Sequence, residues 1–132
     1  MTRIQSSPLL RRVLAADAIV SGATGALAVF GAGALAPLTG LSVGFLQAAG
    51  LSLIPFVVFV GWLATQKRAF KMLVTLAIVL NLAWVVESLV LPLGGWIAPT
   101  AFGHVFIGAQ ALAVLAFAGL QWMGLKRSAA TA

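Results

Sequence analysis

The sequence predicts an all-α fold: a four-helix transmembrane bundle, N-in and C-in. Three observations carry this. Four apolar runs lie at about 9–36, 43–65, 69–91 and 100–125, and a membrane-spanning helix needs about 20 mostly apolar residues. The chain is 62% hydrophobic and only 8% charged, with a mean hydropathy of +1.13. Soluble domains carry roughly 25% charged residues, so lipid must be the main solvent. Finally, all 8 basic residues lie at or beyond the ends of the apolar stretches. Arg3, Arg11 and Arg12 precede the first span, Lys67, Arg68 and Lys71 separate the second from the third, and Lys126 and Arg127 follow the fourth. The other two connections carry none. The positive-inside rule then puts both termini and the middle connection of a multi-pass membrane protein in the cytoplasm.

The 132 residues suffice for a single domain, 1–132. The net charge of +6 does not imply nucleic acid, because the cations are spread between long apolar runs. With no Cys, disulfides and thiolate chemistry are excluded. Ala34-Leu35-Ala36 resembles a signal-peptidase site, but the run before it is too long and contains Asp17. It is read as a retained helix.

Taken in order, residues 1–6 are polar and expected to fray. Ser7-Pro8 is a helix start, with Ser as N-cap and Pro at the first helical position. The first helix carries Asp17, Ser21, Thr24, Gly25, Ala28 and Ala32 on one face and Ala18, Gly22 and Ala26 in a second row. Small residues at this spacing let backbones approach closely in lipid. Residues 37–40, PLTG, make a turn. The second helix holds Pro55 near its middle, which frees the carbonyl of Leu51 and predicts a kink. Trp62 and Trp122 each precede a basic cluster, as interfacial anchors do. The third helix ends at Pro92 before Gly94-Gly95-Trp96, and Pro99-Thr100 opens the fourth. Residues 128–132 are expected to be a disordered tail.

The costly groups are the polar residues inside the spans. Counted from Arg12, Asp17 lies roughly 8 Å inside the cytoplasmic edge, with Lys71 or another junction cation as its expected partner. Its role is either helix packing or proton coupling. Asn81 lies about 15 Å from Lys71, near the midplane, and Glu87 about 24 Å from it, towards the periplasm. Gln47 and His104 each enter one turn from that side, and Gln110 lies deeper. A ligand or proton site therefore gathers Glu87, His104, Asn81, Trp84, Ser88, Gln47 and Gln110. The same residues also fit plain interhelical hydrogen bonding. No metal site is expected, since one His and two acids fall short of the usual ligand sets. No cofactor is expected, and no hydrolase relay, because Asp17 and His104 lie at opposite faces.

The segments LRRVLAADAIVSGATGAL, NLAWVVES and PTAFGHVFIGAQALAV, with the proline-bearing second helix, resemble a group of small uncharacterised four-span bacterial inner-membrane proteins with no assigned activity. The resemblance covers most of the chain and implies architecture alone. Small multidrug-resistance transporters are similar in span number and in having a carboxylate in the first helix. That family uses Glu, placed deeper, and its later motifs have no counterpart here.

The expected function is non-enzymatic: an accessory subunit of a membrane complex, or a binder of a small lipophilic ligand. Proton-coupled transport of small amphipathic compounds is the alternative. The expected partners are the lipid bilayer and either another membrane protein or further copies of this chain.

Overall fold

The computed structural model describes residues 2–131, with side chains to Ala129. Its elements run β1 (Arg3–Gln5), α1 (Pro8–Phe30), α2 (Ala32–Thr39), α3 (Val43–Thr65), β2 (Arg68–Phe70), α4 (Lys71–Leu93), α5 (Ala101–Lys126) and β3 (Ala129–Thr131). The four long helices α1, α3, α4 and α5 are each long and apolar enough to cross a membrane. Only 17% to 28% of each span's apolar window is buried inside the protein. Side chains such as Ile19, Val58, Met72 and Leu112 point outward. An apolar surface of this extent is stable against lipid and not against water.

The helix starts follow capping chemistry. Ser7, Ser42 and Thr100 cap α1, α3 and α5, accepting from the amides of Leu10, Phe45 and Gly103 at 3.2, 3.0 and 3.1 Å. The first helix is shorter than the expected 9–36. It breaks at Gly31, where a Cβ would meet the Leu27 carbonyl oxygen at 2.7 Å. Residues 37–40 do not form a free turn. They finish α2, which closes on Gly40 at φ 75°. A Cβ there would meet the Thr100 amide nitrogen at 2.9 Å. Thr100 donates its N–H to the Thr39 carbonyl (2.9 Å) and its hydroxyl to that of Leu38 (2.6 Å), fastening α2 to the start of α5.

The spans are ordered α3–α1–α5–α4 in space, while α3 and α4 barely touch. The α1–α3 contact uses small residues. Ala18 faces Gly61, Gly22 faces Val57, and Gly25 crosses Gly50 so closely that a Cβ on Gly50 would stand 2.8 Å from the Gly25 carbonyl oxygen. At the other end of α1, Gly124 of α5 lies against the Leu10 backbone, and the Ser7 hydroxyl donates to the Gly124 carbonyl at 2.8 Å.

The expected frayed ends pair instead. β1 is the central strand of a three-stranded antiparallel sheet, with order β2-β1-β3. Ile4 is buried while Arg3 and Gln5 face out, the period-2 alternation of a strand. Ile4 and Ala69 join the core formed by Leu10, Leu14, Val60, Leu63 and Val74. Met1 and Ala132, the outermost residues of the expected frayed segments, lie outside the described residues. The sheet ties both termini to the α3–α4 connection, so the basic residues gather at one end of the bundle.

Candidate functional site

Two polar groupings lie between the helices, and a cavity lies beside them. The first is centred on Asp17, which has no solvent-exposed surface. Its partners are not the expected junction cations. Ser21 donates to Oδ1 at 2.9 Å, while Asn81 and Gln121 donate to Oδ2 at 2.8 and 2.7 Å. The Asn81 amide also donates to Gln121 Oε1 at 3.0 Å. Three helices, α1, α4 and α5, are joined through one carboxylate that accepts every bond it makes.

Measured from the start of α1 at Pro8, Asp17 lies about 14 Å along the helix, level with Asn81 at about 15 Å into α4. Gln121 approaches from the other direction. Cα–Cβ bonds tilt towards the helix N-terminus, so on antiparallel helices Asp17 points towards the basic end and Gln121 away from it. The two side chains meet although their Cα atoms differ in height. Gln121 was not among the candidate residues. Its signal in the sequence is a carboxamide within an apolar run, the same kind that marks Asn81, and both are buried.

The second grouping joins α4 to α5. Trp84 Nε1 donates to Gln110 Oε1 at 2.8 Å. Gln110 Nε2 donates to Ser88 Oγ and to the Ile107 carbonyl, both at 3.0 Å. Ser88 Oγ donates back to the Trp84 carbonyl at 2.7 Å. Trp84, Ser88 and Gln110 thus come together and satisfy one another.

The remaining candidates lie apart from these bonds. Gln47 is exposed and donates to the Val29 carbonyl at 3.4 Å. His104 is exposed on the first turn of α5. Neither borders the cavity, whereas Glu87 does. Among the described residues, no hydrogen bond joins Glu87 to His104, and no group of three His, Asp or Glu comes together that would hold a metal ion.

The cavity measures about 940 Å³ and occupies the half of the bundle away from the basic end. Its floor includes Ser21 and Asn81 of the Asp17 network. Its walls are mostly apolar, with Leu53 and Phe56 from α3 and Val114 and Phe117 from α5. Leu35 and Ile97 lie at the far end. Its polar margin runs along α4 through Trp84, Glu87 and Ser88. Both rims of the α3–α4 gap are exposed, at Ser52 and Pro55 on one side and Leu80 and Ala83 on the other. The cavity therefore opens sideways, towards the surface that faces lipid.

The fold and this site define a multi-pass membrane protein with a laterally open interior cavity. Among known proteins, no family model, curated protein or solved structure matches the chain.

Proposed function

We propose that this protein binds a small lipophilic ligand drawn from the bilayer, and does so without catalysing a reaction. The observation that carries this is the cavity itself. A volume of about 940 Å³ is at the upper end of the roughly 300–1,000 Å³ usual for small-molecule sites, which are mostly apolar with a few placed polar groups. The apolar body of the ligand lies among the α3 and α5 side chains. Its polar end meets Glu87, the one carboxylate on the cavity wall, because Trp84, Ser88 and Gln110 already bond one another. A head group that donates hydrogen bonds or carries positive charge fits there.

The protein is further proposed to sit in a bacterial inner membrane with its sheet end in the cytoplasm. The segregation of all 8 basic residues supports this orientation. A cytoplasm-dependent fluorescent reporter fused to the C-terminus should light up, and an export-dependent phosphatase there should stay inactive.

Ligand binding is tested by native mass spectrometry of the chain released from nanodiscs. The expected spectrum shows a bound lipophilic mass that is lost in Ala113→Phe, which fills the cavity. Trp84 emission should also respond to an added short-chain quinone or cationic dye in the wild type alone. A wild-type protein that carries nothing, with emission unmoved by both probes, would sink the proposal. The same spectrum reads the accessory-subunit alternative, which requires a co-purifying partner. Proton-coupled transport rests on Glu87 at the cavity wall, and unchanged proton-linked flux in Glu87→Gln removes it.

A further inference from the structure

We infer that the basic end holds a second, separate site, which binds the phosphate of an anionic phospholipid between the start of α1 and the end of α3. A pocket of about 430 Å³ lies there, bordered by Ser6, Pro8, Arg11, Arg12 and Ala64. Four observations converge on it.

The first is the two arginines. Arg11 is half-buried and its Nε donates to the Ala64 carbonyl at 3.1 Å. That bond fixes the guanidinium plane and leaves its terminal N–H groups for another acceptor. Arg12, one residue on, is exposed. Arginine presents a planar fork that matches phosphate oxygens in pairs.

The second is electrostatic. Both arginines occupy the first two turns of α1, where the helix dipole is positive, and the first turn holds no acidic residue. Cations at a helix N-terminus are unfavourable and an anion there is favourable. Neither acidic residue of the chain is available to compensate. Asp17 is consumed by its own network, and Glu87 lies in the far half of α4.

The third is Ser6. It borders the same pocket, is more than nine-tenths buried, and its hydroxyl has no hydrogen-bond partner. A buried donor left unpaired is costly, and a phosphate oxygen beside the arginines supplies an acceptor once the side chain turns into the pocket.

The fourth is depth. Ala64 follows Trp62, which is half-exposed near the end of α3. Trp in that position marks the membrane–water interface, the level at which lipid phosphates lie. Exposed Ile19, two turns further along α1, offers an apolar track for the acyl chains. Anionic lipids are enriched at the face to which basic residues point.

The test uses the full chain in mild detergent, titrated with phosphatidylglycerol, phosphatidylcholine or inorganic phosphate and read by native mass spectrometry. Phosphatidylglycerol should be retained in preference to phosphatidylcholine. Arg11→Gln/Arg12→Gln should weaken it roughly 25-fold, about fivefold for each charge. Lys126→Gln/Arg127→Gln removes equal charge from the same end and should weaken it less than about twofold. Arg12→Gln and Ser6→Ala leave the Arg11–Ala64 bond intact, so they carry the test if the double variant loses helicity. Each should weaken binding by about threefold or more. Equal effects of the two double variants, or no preference between the two lipids, would overturn the site. Binding of inorganic phosphate with no lipid retained would overturn its assignment to a phospholipid.

Discussion

Replacing Asp17 separates a structural carboxylate from a functional charge. In Asp17→Ala the acceptor of three hydrogen bonds, at 2.9, 2.8 and 2.7 Å, disappears. Side-chain bonds between membrane helices are worth about 0.6 kcal/mol on average and up to about 1.7; the Asn81 and Gln121 bonds between helices and the Ser21 bond within α1, taken at that rate, come to about 2 kcal/mol. The Asn81 amide keeps its bond to Gln121 Oε1, but the Gln121 amide is left buried without an acceptor. An unpaired buried donor adds about 1–3 kcal/mol, for a total of about 3–5 kcal/mol. Asp17→Asn should behave differently. Its Oδ1 can accept from both amides while its own amide donates to Ser21 Oγ, whose hydroxyl can turn to the backbone carbonyl one turn back, so the loss should be under about 1 kcal/mol. Unfolding by SDS in mixed micelles, followed by circular dichroism, measures both variants. A cycle with Asn81→Ala should show a coupling above about 1 kcal/mol. If Asp17→Asn is as damaging as Asp17→Ala, the negative charge and not the acceptor geometry is what the site requires. If Asp17→Ala loses less than about 1 kcal/mol, the network does not lock the three helices.

Other substitutions probe the remaining interfaces. Gly50→Ala should destabilise by about 1–3 kcal/mol in the same assay, because its Cβ would stand 2.8 Å from both the Gly25 carbonyl oxygen and Val29 Cγ2; Gly44→Ala, with nothing within 4 Å, should be neutral. Gln110→Leu breaks the bonds to Trp84, Ser88 and Ile107 and should lower stability by about 1–2 kcal/mol and shift Trp84 emission. Ile4→Pro removes a strand N–H from the centre of the sheet, so hydrogen exchange at Arg68–Phe70 should accelerate by about tenfold or more.

The spans were legible because lipid imposes a strong rule: a run of apolar residues bounded by charges or Pro-Gly turns has one reading. The second helix, expected at 43–65, is Val43–Thr65. The sheet was not legible. Arg3-Ile4-Gln5 offers one apolar position of three, and Ala129–Thr131 offers no alternation at all. Three-residue strands are decided by the neighbours they meet, and those neighbours are more than 60 residues away in sequence. The break at Gly31 was hidden for a related reason, since glycine is common inside membrane helices and marks a break only when the backbone there leaves the helical track. The polar residues were visible as costly groups, but their partners depended on helix order. Placing Asp17 with Asn81 and Gln121 requires knowing that α1 lies beside α5, and the sequence does not encode that in any local pattern.

That helix order also accounts for where the cavity lies. The α1–α3 contact is closed by glycine and alanine, which bring the two backbones together. The α1–α5 and α4–α5 contacts are closed by the Asp17 and Gln110 hydrogen bonds. Between α3 and α4 neither device operates: among the described residues no side-chain hydrogen bond joins them, and the facing positions Ser52, Pro55, Leu80 and Ala83 are exposed. In lipid there is no hydrophobic drive to bring two apolar helix faces together, because acyl chains solvate them equally well. Of the helix pairs that neighbour one another around the bundle, the one without small-residue contact or polar bonds among the described residues is therefore the pair that stays apart. Pro55, which cannot donate to the Leu51 carbonyl, lies on the α3 rim of this gap. The polar stretch on α4 then has two separate tasks set by depth. Asn81 closes the floor of the cavity, while Glu87, about 9 Å further along the helix axis, stays on the open wall. A carboxylate in that position is stable in the bilayer only with water or a donor beside it, which makes the chemistry of the cavity's occupant the quantity that Glu87→Gln most directly tests.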